Sequence, residues 1–358
     1  MAAARFAARQ TPTYGFAGGR SMGSPPPRVA TLFPLRVLRE MDAATGLRRR
    51  ELARSLQVAL PHRLRQRVQS LQQLPMEMSH DPDIQAICQT YHEWDNMMGQ
   101  LPLVTDSTAE QKLTMMLKRM LGTSCSSGFS SHRRVMKAVA RAHARSGGCP
   151  TMMNSIDTAV DDFMLHRLDI RVILKQFVTS PQTGGIFHLG LNPAEITQRA
   201  ARDIRALCHQ VHGWAPEIEV PAAAPTFHHA PCILSYVVQE VLKNSTRAAA
   251  LAAQAGEDPG RIGVEMVRDR AGLEVVISDR AGGIDAQTQR HIWSFFQASG
   301  RGTDQRWDQC KVPSLSLAGY GLGLPLARVY CRYFGGDLEV LTKEGTGTTV
   351  RFFLPTLP

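Results

Sequence analysis

Residues 234–248 read Leu-Ser-Tyr-Val-Val-Gln-Glu-Val-Leu-Lys-Asn-Ser-Thr-Arg-Ala, and their spacing assigns a helix with two unlike faces. Leu234, Val238, Val241 and Leu242 recur at helical spacing and mark a core-facing side. Glu240, Lys243, Asn244 and Arg247 stand at i, i+3, i+4 and i+7 and share the other side. That face gathers a carboxylate, two cations and a neutral amide. A carboxylate can take a proton from a hydroxyl. An amide oxygen is a hard ligand for Mg²⁺, and Lys and Arg suit phosphate oxygens. On these residues alone, a solvated helix face with an i, i+3 ion pair is the favoured reading.

Downstream, Ile277-Ser-Asp-Arg-Ala-Gly-Gly-Ile284 ends an apolar strand in Asp279 and then glycines. A carboxylate at a strand end can accept from an amino group, and Gly282 and Gly283 let a backbone approach closely. An Asp-led turn is the alternative. Further on, Ala318-Gly-Tyr-Gly-Leu-Gly-Leu-Pro325 alternates Gly319, Gly321 and Gly323 before a helix, which makes an anion cradle or a hinge. It is neither a GxGxxG dinucleotide loop nor a P-loop. The intervening small-residue segment reads as a lid.

The rest of the C-terminal part alternates strands with helices. The pattern predicts a strand at 186–191, a helix over 193–211, paired runs at 261–267 and 273–278, and a hairpin of 337–341 with 348–354. Upstream, 46–178 reads as helix after helix. Leu52, Leu56, Leu60, Leu64, Val68 and Leu71 continue one stripe past Pro61, which is expected to kink or interrupt it. Ile84, Ile87, Cys88, Tyr91, Trp94 and Met98 make a second stripe. Ser107 and Glu110 have capping-box spacing. Further helices are expected from about His132 and over about 154–177. Four or five such helices argue for a bundle, and the chain as a whole for α+β. The boundary falls near 182.

Composition narrows the classes further. The 358 residues are 43% hydrophobic and 20% charged, a globular balance. No stretch is long and apolar enough to span a membrane. The net charge is +10, but six of the 41 basic residues lie in 1–39, where there is no acid. The remaining 35 face 31 acids, too even a balance for a nucleic-acid binder. Arg-rich, acid-free and amphipathic, 1–39 reads as a mitochondrial transit peptide. Seven scattered cysteines without a CxxC pair fit reduced thiols rather than disulfides or zinc.

In this order, Glu240…Lys243-Asn244, Asp279…Gly283 and Gly319-x-Gly-x-Gly323 resemble the three nucleotide boxes of the GHKL ATPase superfamily. Glu344-Gly-Thr-Gly-Thr348 is similar to its last motif. The segments 240–248 and 326–336, with Leu60-Pro-His-Arg-Leu64, Leu74-Pro75, His132-Arg-Arg-Val-Met136 and Arg167-Leu-Asp-Ile-Arg171, resemble the mitochondrial 2-oxoacid dehydrogenase kinases over about 45–356. That resemblance implies a four-helix bundle (40–181, regulatory and E2-docking) followed by a GHKL, or Bergerat, α/β sandwich that binds ATP (182–358). It implies a matrix protein-serine kinase that phosphorylates and inactivates the E1 α subunit, with the E2 core and its lipoyl domain as docking partner.

By the same resemblance Glu240 is the general base and Asn244 the Mg²⁺ ligand. Lys243 and Arg247 neutralise phosphate, Asp279 recognises adenine beside Gly283, and Thr348 supports it. Ser299 belongs to the lid, and the backbone of Gly319, Tyr320, Gly321, Leu322, Gly323 and Leu324 holds phosphates. His132, Arg167 and Arg171 are the candidate site for a 2-oxoacid inhibitor; ion pairs with Asp161, Asp162 or Asp169 are the plainer reading of the arginines. Branched-chain members also bring K⁺, for which no residue is named here.

Tyr236, four residues before the base where pyruvate dehydrogenase kinases carry His, leans towards the branched-chain members; the pyruvate kinases are the alternative. The departures are Ala281 for the first glycine of a DxGxG pattern, Asp169 between the paired arginines, and Ser245-Thr246 for Ala-Met. The chain also ends at Pro358, so a homodimer is expected without the C-terminal tail exchange of the pyruvate kinases. A weakly active ATP-binding regulatory protein is the reading these departures leave open.

Overall fold

The computed structural model describes residues 46–125, 131–146, 150–183, 185–295 and 323–357. The expected transit segment therefore lies outside the described residues.

The N-terminal part is helical throughout: α1 (Gly46–Gln72), α2 (Met76–Ser79), α3 (Pro82–Gly99), α4 (Ser107–Cys125), α5 (Ser131–Ser146) and α6 (Pro150–Thr183). α1 packs on α3 and α4 on α6, while α5 rests on both α3 and α6. The expected apolar stripes form the core. Leu56, Leu60 and Leu64 are fully buried, as are Ile84 and Ile87. Pro61 does not interrupt α1, which runs through it as one helix. A mid-helix proline costs about 3 kcal/mol, but each leucine of the continuing stripe gains about 2 kcal/mol by burial, so packing outweighs the lost bond. Ser107 is not the cap of α4 either. Asp106 is, accepting from the Ala109 N–H at 2.8 Å. An ionised carboxylate is the stronger acceptor at the positive end of the helix.

Beyond Gly185 the chain builds two sheets. β1 (His188–Leu191) pairs antiparallel with β3 (Phe227–His229). The larger sheet has the order β2-β4-β5-β7-β6, from β2 (Ile218–Glu219), β4 (Ile262–Arg268), β5 (Gly272–Gly282), β6 (Asp337–Lys343) and β7 (Thr346–Pro355). β2 runs parallel to β4 and the other pairs are antiparallel. The short strands β2 and β3 carry too few residues to show a period, and nothing in the sequence marked them.

Helices α7 (Pro193–His212), α8 (Pro231–Gln254) and α10 (Gly323–Tyr333) accompany this sheet, and the short α9 spans Ala286–Gln289. α8 lies on α7, on β5 and on α10. α10 in turn touches β6, β7 and the bundle helix α6. On β5, Leu273, Val275 and Ile277 are fully buried and alternate with half-buried residues. Opposite them on β7, Val350, Phe352 and Leu354 are buried too. Two residues further along each inward row come Asp279 and Thr348, register partners across β5 and β7. Period-two alternation thus carries both polar groups from the core to the edge of the sheet.

Candidate functional site

α8 supplies the first wall of the site. Its apolar side is seated as expected, with Leu234, Val238, Val241 and Leu242 fully buried. The other face is graded from buried to exposed. Glu240 is only 5% exposed, although Asn244 one turn later is exposed. Glu240 Oε1 accepts from Lys243 Nζ at 2.6 Å. Burial raises the Glu240 carboxyl above its ordinary range, and the charge and hydrogen bond of Lys243 pull it back down. Its second oxygen lies against the start of α10: a Cβ on Gly323 would sit 2.5 Å from Glu240 Oε2. Gly323 is therefore a glycine because the carboxylate occupies the space of a side chain. Lys243 and Arg247 are half-buried at the rim.

Asp279 forms the second wall. It is 8% exposed, and its Oδ1 accepts from the Ala281 N–H at 3.2 Å and the Thr348 N–H at 3.3 Å. Burial raises its carboxyl; the Ser245 side chain and those two backbone donors oppose the rise. Ser245, a departure from the related pattern, thus becomes a partner of Asp279. Thr348 supports Asp279 through its N–H, while its hydroxyl pairs with Thr342 Oγ1 at 3.0 Å. The sequence reading missed Thr342. It also takes the Ile284 N–H at 2.9 Å and donates to the Gly347 carbonyl at 3.1 Å, knotting the β6–β7 turn to the end of β5. A threonine in a strand carries no mark of such a role.

Register between β5 and β7 shifts after Asp279, and the chain leaves the sheet through Gly282 at φ +79° and Gly283 at φ +73°. A Cβ on Gly283 would collide with the Lys343 carbonyl. Ala281 has no positive φ, so alanine for glycine there does not tighten the turn. Leu324, half-buried, is the second residue of α10. Ser299, Gly319, Tyr320, Gly321 and Leu322 lie outside the described residues, so Gly323 and Leu324 alone represent the glycine loop here.

The bundle arginines approach the same region. Arg167 and Arg171 on α6 both bear on the half-buried Tyr330 of α10, and Arg167 also on Tyr91 of α3 and Tyr236 of α8. Tyr236 and Tyr330 stack with ring centroids 4.7 Å apart. His132 is the second residue of α5, and its side chain lies outside what is described. Asp169 accepts from the Tyr333 hydroxyl at 2.9 Å across the two domains.

The chemistry of this donor set fits a bound nucleotide and a divalent cation. A buried carboxylate for an amino group, an exposed neutral amide for a hard cation, and two half-buried cations converge on one helix face and one strand end. Among the described residues no cluster of His, Cys, Asp and Glu forms a metal site of its own, and no helix is long and apolar enough to cross a membrane.

Residues 231–358 match the family described as histidine kinase-, DNA gyrase B-, and HSP90-like ATPase. Residues 39–183 match the family described as mitochondrial branched-chain alpha-ketoacid dehydrogenase kinase. The chain is 31% identical over 323 residues to a mitochondrial pyruvate dehydrogenase (acetyl-transferring) kinase of Arabidopsis thaliana, covering 85% of this chain and 84% of that protein. It is 35% identical over 216 residues to the like-named protein of Schizosaccharomyces pombe, and 27% over 223 residues to isozyme 4 of Homo sapiens. Those two matches span about half of each protein, 50% and 53% of their length.

Proposed function

The chain belongs to the mitochondrial 2-oxoacid dehydrogenase kinases of the GHKL superfamily, and from that premise we propose that it phosphorylates a serine of the E1 α subunit of such a complex and thereby inactivates it. The observation that carries this reading is the environment of Glu240. A carboxylate 5% exposed, raised by burial and held by Lys243, is a better proton acceptor than an ordinary surface carboxylate. ATP supplies the phosphoryl group, and Mg²⁺ neutralises the charge on its phosphates. Glu240 takes the proton of the serine hydroxyl as the hydroxyl attacks. Asn244 offers its amide oxygen to the cation, Lys243 and Arg247 draw phosphate charge, and Asp279, steadied by Ala281 and Thr348, reads the adenine amino group. The chain's part is then positioning and charge stabilisation.

For the substrate complex, the names of the relatives favour pyruvate dehydrogenase. The description of the family matched by the bundle, together with Tyr236 in place of a histidine, favours the branched-chain complex as the second reading. The matrix as compartment, docking on the E2 lipoyl domain, a 2-oxoacid inhibitor held by Arg167 and Arg171 with His132, a homodimer, and K⁺ belong to the same proposal.

The experiment is a labelling assay. Protein lacking 1–39 is given Mg-ATP with pyruvate or branched-chain dehydrogenase E1, each with its E2 core. Selective serine labelling of one E1 names the substrate. Glu240→Gln is expected to lower phosphoryl transfer by about 10²–10⁴-fold while nucleotide still binds. Nucleotide binding with no labelling of either E1 would leave a regulatory protein in place of a kinase.

A further inference from the structure

α10 joins the two ends of the molecule's polar interior. Its first residue, Gly323, lies against Glu240 Oε2, and its last, Tyr333, donates to Asp169 of the bundle at 2.9 Å. The ten helical steps between them span about 15 Å. Both ends of the Tyr333–Asp169 bond are deeply buried, at 6% and 1% exposure. A helix of 11 residues has little stability of its own, so its axial position is set by what it packs on.

Besides its apolar packing on α8, where Tyr330 meets Tyr236, its polar contacts fall in two groups. Arg328 and Arg332 reach Asp337 at 2.9 and 3.0 Å and tie α10 to β6 within its own domain. Tyr333–Asp169, with Arg332 reaching Asp161 at 4.0 Å, ties it to α6. α6 also carries Arg167 and Arg171, which bear on Tyr330 one turn before Tyr333.

At the other end there is no slack. Without a side chain on Gly323 the α10 backbone reaches the carboxylate directly, so a slide of about 1 Å either presses on Glu240 or opens a gap beside it. Misplacement of that size costs up to about 10²-fold in rate.

We propose that Asp169 is a positioning residue for the base: through Tyr333 it holds α10 in the register at which Gly323 seats against Glu240. The role rests on the reading of Glu240 as the base.

Three variants test it. Tyr333→Phe removes only the hydroxyl. Asp169→Leu with Tyr333→Phe removes both partners and leaves no buried charge from this pair, which keeps the test open if the single variant fails to fold. Asp169→Asn keeps an acceptor and should behave as the parent.

The first readout is amide hydrogen exchange of the full chain without ligands. In both bond-breaking variants, exchange should quicken along all of α10, including the turn after Gly323. Faster exchange confined to the last turn, or none, overturns the proposal. The second readout is serine phosphorylation. kcat should fall about tenfold with the KM for ATP within about twofold, and Asp169→Asn should restore it. A raised KM at unchanged kcat means that the bond is structural only. A parent chain that phosphorylates neither E1 removes the kinase reading by itself, and the exchange result still decides whether Asp169 sets α10.

Discussion

Asp81 in the bundle and Glu240 in the nucleotide-binding domain are carboxylates nearly closed to solvent, at 3% and 5% exposure, and they titrate in opposite directions. Asp81 caps α3 by accepting from the Asp83 N–H at 3.0 Å. It also takes two bonds from Arg141, at 2.8 and 2.6 Å, with Arg145 nearby at 3.8 Å. Desolvation raises the Asp81 carboxyl, but these donors together hold it below the ordinary carboxylate range. Its main partner keeps 40% of its side chain exposed, so that pair forms close to water. Glu240 has one ion-pair partner, Lys243, itself only 11% exposed, and burial wins. Asp81 is given more donors than its burial costs and Glu240 fewer, the pattern expected of a structural carboxylate and of one suited to exchange protons.

His229 extends the comparison to a group with little to oppose its burial. It is fully buried, neither ring nitrogen makes a well-formed hydrogen bond among the described residues, and the Ala230 backbone offsets the burial only in part. It stacks on Phe227 at 5.6 Å and meets Phe334 edge-on at 4.7 Å. Burial lowers it to about 4. The unfolded chain, near 6.5, therefore binds a proton that the folded chain refuses. Stability is full above about pH 6.5 and is lost as pH falls towards 4, by about 3 kcal/mol in all. That is the largest effect expected. Denaturant titrations at pH 7.5 and pH 4.5 should differ by less in His229→Phe than in the parent. Equal differences in the two proteins would mean that His229 finds a partner in solution.

Asp81→Ala comes next. It removes a cap and two of the bonds to Arg141, which keeps Asp83 at 2.6 Å, and it should cost about 1–2 kcal/mol. Phosphoryl transfer per folded molecule should be unchanged, since the bundle carboxylate has no part in the chemistry. A loss of turnover at full folding would break the contrast between the two carboxylates.

The smallest effect is expected at Lys243. Lys243→Met takes away the cation that pulls the Glu240 carboxyl down, so the acid limb of the kcat profile should move to higher pH by about one unit. Movement to lower pH would mean that Lys243 acts on phosphate alone and not on the base.

These contrasts separate what was legible in the residues from what was not. The face bearing Glu240, Lys243, Asn244 and Arg247 follows from helical spacing, and Asp279 at the end of an apolar strand follows from period-two alternation. Both are local repeats, and a sequence displays them. The apolar stripe of α1 was also legible, but the fate of Pro61 was not, because it depends on how firmly neighbouring leucines pack. Asp106 rather than Ser107 caps α4 because two adjacent acceptors compete, and their order of strength decides it.

Sequence alone determined the two-part α+β organisation, the helix that carries Glu240 and the strand that carries Asp279, since each depends on residues within a few positions of one another. Only the tertiary structure decided that Glu240 on the polar face of α8 is buried while Asn244 stays exposed, that Gly323 fills the place beside Glu240, and that Asp169 bonds Tyr333 across the two domains. Burial and donor count are sums over segments as far as 164 residues apart in the chain, and no local pattern records them.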